Sequence, residues 1–109
     1  MSVITDTPQP PYYLASFTAQ RSSQDEGSAQ MLDRMLELVA QQPGYLGIES
    51  ARDENGTSMT ISYWDSIESI QNWKQNAEHL VAQQRGRLEW YKIYTIRIAR
   101  VESQIVFPS

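Results

Sequence analysis

The 109-residue chain has no cysteine and a single histidine, His79. The lack of thiols excludes disulfides, thiolate nucleophiles, zinc–thiolate sites and iron–sulfur clusters. One histidine cannot by itself make a metal centre, so neither a metal nor another cofactor is expected. No apolar run approaches the roughly 18 residues that cross a bilayer. Met1–Pro11 has neither the basic nor the apolar region of a signal peptide. No membrane partner is expected, and the chain reads as cytoplasmic. Also missing are a nucleophile elbow, a phosphate-cradling glycine loop, a dinucleotide fingerprint and an HExxH motif. Positive charge is scarce: 9 Lys and Arg against 13 Asp and Glu, a net charge of −4. An acidic domain without a basic stripe is a poor ligand for nucleic acid. The charge is uneven, with ten acids and three bases in Met1–Trp73 against three acids and six bases in Lys74–Ser109. The basic second half is either ordinary surface charge or a local site for an anion or polar ligand.

What is present is a globular composition, 40% apolar and 10% aromatic, of one domain's length. Residues 1–11, with three prolines and little to pack, read as a flexible tail, and 12–109 as the single domain. Tyr12–Gln20 reads as a strand with Tyr13, Ala15 and Phe17 on one side. Ser28–Gln41 reads as a helix whose face of Met31, Leu32, Met35, Leu36 and Val39 ends at Pro43–Gly44. Tyr45–Arg52 and Thr57–Trp64 are two strands joined by a hairpin at Asn55–Gly56. In the second of these, Thr57, Met59, Ile61 and Tyr63 form a face apolar enough for a core. Ser58, Thr60, Ser62 and Trp64 form one suited to solvent or a ligand cavity. Asp65 and Glu68 read as a capping box. The helix that follows carries Ile67, Ile70, Trp73 and Ala77, and is expected to break near Asn76 and resume to about Gly86. Glu89–Phe107 reads as one long strand, with Tyr94, Ile96 and Ile98 on one face and Tyr91, Ile93 and Val101 on the other.

The order strand, helix, strand, strand, helix, strand is the split βαβ of an α+β, ferredoxin-like βαββαβ fold, with an antiparallel sheet covered on one face by two helices. The last strand is apolar on both faces. Its second face calls for a partner, and a homodimer formed sheet to sheet supplies one.

Several separated motifs then fall in a familiar order. They are Pro43–Gly44–Tyr45–Leu46–Gly47, Ile61–Ser66 (ISYWDS), Asn72–Trp73–Lys74, His79 with Ala82–Gln83, and an ending of Trp90–Tyr91, Tyr94, Arg97, Ala99–Arg100 and Glu102. Over more than half its length the chain resembles the antibiotic biosynthesis monooxygenase family. The resemblance implies a dimeric α/β barrel, in which two ferredoxin-like subunits pack their sheets together and each keeps a cavity between sheet and helices. It also implies a choice of chemistries. The family includes cofactor-free oxygenases that turn phenolic polyketides into quinones, haem-degrading enzymes, and proteins that handle small aldehydes or autoinducers. The haem-degrading branch uses a Trp on the second helix, a His ligand ten residues later and an Asn on the first strand. Here Trp73 matches, Gln83 stands in place of that histidine, and Tyr12–Gln20 holds no asparagine.

Within that frame, His79 could take a phenolic proton and leave an electron-rich anion for O₂, or simply bond a backbone carbonyl. Trp64 and Trp73 could stack a planar aromatic substrate, or pack the core or dimer. Asn72 could hold an oxygen of the substrate or an O₂-derived anion, or be an exposed helix residue. Tyr63, Tyr91 and Tyr94 offer hydroxyl donors, and Gln83 is a further candidate for substrate binding. Arg97 and Arg100 lie on opposite faces of the last strand, so only one can face a given pocket. Arg97 is the candidate for steadying an anionic intermediate. Three readings follow: a cofactor-independent monooxygenase of an electron-rich aromatic such as a hydroquinone or anthrone, a non-catalytic dimer that binds a small hydrophobic molecule, and a haem-degrading enzyme.

Overall fold

A computed structural model describes residues 4–22, 28–84 and 91–108; the side chains of residues 28, 29, 31, 32 and 78–84 lie outside that description. The chain runs β1 (Tyr12–Arg21), α1 (Ser28–Val39), β2 (Tyr45–Arg52), β3 (Thr57–Trp64), α2 (Ile67–Gln84) and β4 (Tyr91–Val101). The four strands form one antiparallel sheet in the order β2-β3-β1-β4. Both helices lie on the same face, with α2 packed over β1 and β3. This is the ferredoxin-like α+β architecture expected from the element order.

The register of β1 sets which side chains meet the helices. Tyr13 stands opposite Trp64 of β3 and Arg100 of β4, Ala15 opposite Ser62 and Ile98, and Phe17 opposite Thr60 and Ile96. Val39 of α1, Trp64 of β3 and Ile70 of α2 are the buried cluster at the centre, with Tyr13, Ala15, Tyr45, Ile48 and Trp73 against it. The polar-looking face of β3 is therefore the one beneath the helices. Met59 and Ile61, which read as core, point to the opposite, outer face, where Met59 stays 51% exposed. A two-residue period cannot say which side the helices choose. Here the choice follows the largest side chain, Trp64, which buries more apolar area than Met59.

Two register shifts were not legible in the pattern. Tyr45 pairs with Trp64 and Gly47 with Tyr63, so Leu46 is an extra residue in β2; Tyr45 and Ile48 both turn toward the core. In β4, Ile93 pairs with Gln20 and Tyr91 with Arg21, so Lys92 is extra. This bulge turns Tyr91 to the helix side with Tyr94, not to the outer side with Ile93 as strict alternation predicts.

The helix boundaries also differ from the sequence reading. α1 ends at Val39, two residues before Gln41, in a tight turn where the amide of Gln42 donates to the carbonyl of Val39 at 3.0 Å. The residue that caps α2 is Ser66, not Asp65. Its Oγ accepts from the amide of Ser69 at 3.1 Å, while Asp65 Oδ1 accepts from the Ser69 hydroxyl at 2.9 Å. α2 does not break at Asn76. No proline or glycine interrupts Ile67–Gln84, and Asn76 Nδ2 instead donates to Gln42 Oε1 at 3.3 Å, tying α2 to the end of α1. The second short segment expected to Gly86 passes beyond Gln84 outside the described residues. β4 stops at Val101 and does not reach Phe107, because Val101 pairs with Tyr12, the first residue of β1. Beyond that point the neighbouring chain offers Pro10 and Pro11, which have no amide to donate. The segment from Ile4 to Pro11, read as a tail with little to pack, lies against the outer face. The amide of Thr5 donates to Glu49 Oε2 at 3.0 Å and its hydroxyl to the carbonyl of Ile48 at 2.8 Å. At the other chain end, Gln104 Nε2 donates to the carbonyl of Pro8 at 3.1 Å, and its Oε1 accepts from the hydroxyls of Thr7 and Tyr12.

Gly44 joins α1 to β2 with a φ of 86°, and its carbonyl accepts from the amide of Asp65 at 2.9 Å. A Cβ there would collide with the side chains of Ser69 and Asp65 at the start of α2. Gly44→Ala is expected to cost at least about 1–2 kcal/mol from the left-handed backbone alone. Thermal unfolding followed by circular dichroism should show a fall of roughly 5 °C or more; an unchanged midpoint would show that the close approach carries no stability.

Candidate functional site

β4 is an edge strand that the helices leave uncovered among the described residues. Its helix-facing side chains Tyr94, Ile96 and Ile98 are 49%, 44% and 42% exposed. Beside them on β1 stands Phe17, whose ring lies 5.4 Å from that of Tyr91, edge to face, and 5.5 Å from that of Tyr94, stacked. Tyr91 and Tyr94 are 6.3 Å apart, also edge to face. These three aromatics and the two isoleucines form an apolar floor, bordered on β3 by the hydroxyls of Ser58 and Thr60. Aromatic floors with a few hydroxyls at the edge suit flat, weakly polar ligands. Burial pushes the Tyr91 phenol above the ordinary tyrosine range, and the Arg21 guanidinium draws it part of the way back. At neutral pH Tyr91 therefore carries its proton and can act as a hydrogen-bond donor.

The residues singled out from the sequence separate into five groups. Trp73 is half-buried on α2 at the margin of the core, and Asn72 beside it is exposed. Tyr94 is on the helix-facing floor. Trp64 is 0% exposed. Its Nε1 donates to Ser62 Oγ at 2.8 Å and its ring packs edge to face on Tyr45 at 5.8 Å. With its surface enclosed and its only donor engaged, Trp64 has nothing left to present to a ligand, so its place is in the core. Tyr63 and Arg97 lie on the outer face, opposite Leu14 and Ser16 of β1, and so are not on the helix side with Tyr94. Tyr63 donates to Glu49 Oε1 at 2.6 Å. Burial first, then the hydrogen bond to Glu49 and its negative charge, then Tyr12, push its phenol far above the ordinary range. His79 and Gln83 belong to α2, but their side chains are outside the described residues, and Trp90 is outside them altogether. Sequence reasoning missed Phe17 as a site residue and put Tyr91 on the wrong face. A phenylalanine in a central strand reads as core, and the Lys92 bulge has no glycine to announce it.

The folded state holds the protons of Tyr63, Tyr91 and Tyr45 more tightly than the unfolded chain does. The stability this contributes is fully present below the unfolded tyrosine value of about 10 and is lost as pH rises above it. Denaturant midpoints should be flat in this respect to about pH 9 and fall from about pH 10 upward, less steeply in Tyr63→Phe. Phenolate absorbance that developed for all six tyrosines together near pH 10 would contradict this.

The chain is similar to known proteins in family and in fold. Residues 12–85 match the model of the family described as antibiotic biosynthesis monooxygenase. An uncharacterized Bacillus subtilis protein, YqjZ, is 42% identical over 107 residues, covering 98% of this chain and 94% of its own length. Among solved structures, SnoaB from Streptomyces nogalater, described as a cofactor-independent oxygenase, superposes with a TM-score of 0.67 at 12% identity, over 92% of this chain and 100% of its own. A dimeric ferredoxin-like protein from an uncultured marine organism superposes with a TM-score of 0.66 at 14% identity, over 89% and 93%. At these identities the two structures speak for the fold alone, while the match over 12–85 and the 42% relative fix the descent: the chain belongs to the antibiotic biosynthesis monooxygenase family.

Proposed function

We propose that this chain is a cofactor-independent monooxygenase that oxidises an electron-rich aromatic of the hydroquinone or anthrone type. The observation that carries the reading is the Phe17–Tyr91–Tyr94 floor on the helix side of a sheet of this family, with a protonated phenol at its edge. For an anthrone-type methylene the chemistry balances without another reductant. A base removes a proton, and the resulting carbanion adds O₂ to form a hydroperoxide. Loss of water then leaves a carbonyl. One oxygen atom ends in the product and one in water, and all four electrons come from the CH₂ group. On this reading the aromatic floor and Trp73 hold the ring. Tyr91 donates a hydrogen bond to the developing oxyanion, and His79 on α2, whose ordinary pKa is near neutrality, takes the proton. Asn72 and Gln83 remain secondary candidates for contacts to substrate oxygens. A non-catalytic ligand-binding dimer is the alternative; the serine and threonine hydroxyls of β3 favour it, and the tyrosine hydroxyls at the floor favour the enzyme.

The active form in this proposal is a homodimer. Support comes from the outer face, where Ile93 and Met59 are 65% and 51% exposed beside half-buried Leu14 and Ile61, and from the similar structure described as dimeric. Arg97 and Tyr63 then belong to the interface side. Light scattering across a size-exclusion peak should give twice the chain mass of 12.5 kDa at micromolar concentration; a monomer mass would remove the dimer from the proposal.

Oxygen uptake by metal-stripped protein on a panel of hydroquinones and anthrones tests the chemistry. Turnover should exceed the uncatalysed rate and fall by about tenfold or more in Tyr91→Phe, in His79→Ala and in Trp73→Phe, each with an intact circular dichroism spectrum. Uptake at the background rate for every compound would put the ligand-binding reading first, and turnover unchanged in a variant would strike that residue from the site.

A further inference from the structure

The first 73 residues hold only three basic side chains, Arg21, Arg34 and Arg52. Two of these, Arg21 and Arg52, are 31 positions apart in the chain and yet line one open cavity of about 360 Å³, with Ser22 and the hairpin Asp53–Gly56. The strand registers put the cavity next to the aromatic floor. Arg52 stands opposite Ser58, which stands opposite Ala19, two residues beyond Phe17 on the helix-facing side, and Arg21 stands opposite Tyr91 itself. The floor and the arginine pair are thus neighbouring parts of one surface, and Arg21 is near enough to act electrostatically on the Tyr91 phenol.

Resting on the reading of the floor as a substrate site, we propose that the substrate is an aromatic carboxylic acid. Its rings lie on Phe17, Tyr91 and Tyr94, and its carboxylate is received by Arg21 and Arg52 at the hairpin end. A guanidinium offers a planar fork that matches a carboxylate with two parallel hydrogen bonds. The acids in the lining narrow the choice. Asp53 Oδ1 is engaged by the amides of Asn55 and Thr57, each at 2.9 Å, and holds the turn closed, while Glu54 sits exposed at its tip. With Asp53 and Glu54 in the same lining, a single added negative charge is tolerated better than the double charge of a phosphate monoester.

Binding of a matched pair of already oxidised probes, anthraquinone-2-carboxylate and anthraquinone-2-carboxamide, measured by calorimetry on the full chain, tests this without turnover. In the wild-type protein the acid should bind about tenfold more tightly than the amide, with the gap closing as salt is raised. In Arg52→Gln the acid should weaken to the level of the amide while the amide is unchanged, which also shows that the variant is folded. Arg34→Gln, the same loss of charge outside the cavity, should leave the tenfold preference intact. Equal binding of acid and amide to the wild-type protein, or an equal loss of preference in Arg34→Gln, overturns the carboxylate site while the floor stands. If neither probe binds, the floor fails as an aromatic site and the carboxylate proposal falls with it.

Discussion

The pairing of β1 between β3 and β4 is the constraint on which the remaining structure depends. Side chains alternate along a strand, so the register of one central strand fixes the faces of both neighbours. With Tyr13, Ala15 and Phe17 toward the helices, Trp64 and Ser62 of β3 and Ile96 and Ile98 of β4 must follow. A slip of β1 by one residue would put Tyr12 and Leu14 beneath the helices and turn Tyr13, Ala15 and Phe17 outward. The native register places two small residues, Ala15 and Ser62, side by side under the helix layer. The Ser62 hydroxyl accepts from Trp64 Nε1 at 2.8 Å and approaches the carbonyl of Ala15 at 3.4 Å. The largest buried side chain is thereby held by both packing and a satisfied donor, which an apolar residue at position 62 could not provide.

The same register divides the work between the two faces of β4. Its helix-facing residues extend the core outward into an aromatic and aliphatic floor that no helix among the described residues closes. Its outer residue Ile93 joins Met59 and Ile61 on a face where Ile93 and Met59 stay exposed. The outer face is partly roofed near β2 by the chain's own ends, where Thr5, Thr7 and Gln104 meet Ile48, Glu49 and Tyr12. Beyond that roof, Ile93 of β4 and Met59 of β3 stay exposed.

Much of this was legible in the sequence. The bounds of β2 and β3 follow from turn chemistry, since Gly44 and Gly56 both adopt the positive φ that glycine allows most readily. The fold follows from the element order, and the family from scattered motifs. What was not legible depends on long-range pairing. The end of β4 is set by where its partner begins, 89 positions earlier at Tyr12. The single span of α2 is secured by a contact from Asn76 to Gln42 in another element. Among candidate site residues, Tyr94 was read onto the face it occupies. The Trp64 indole gave no sign from its spacing that it would be enclosed, and Tyr63 and Arg97 could be assigned only a parity, not a side. The positions of Tyr91 and Phe17 relative to each other required knowledge of the bulge.

That bulge has a consequence for how such a site can change. Because Lys92 is the one unpaired residue in β4, everything before it in the strand is displaced by one position relative to β1. Deleting Lys92 would restore strict alternation and leave Tyr91 opposite Arg21 on the helix side, without moving any pair from Ile93 to Val101. Unbroken pairing of the present chain would instead seat Lys92 opposite Arg21 and turn Tyr91 to the outer face. The extra residue thus keeps a phenol where continuous pairing would place an ammonium group, while the rest of the sheet stays as it is.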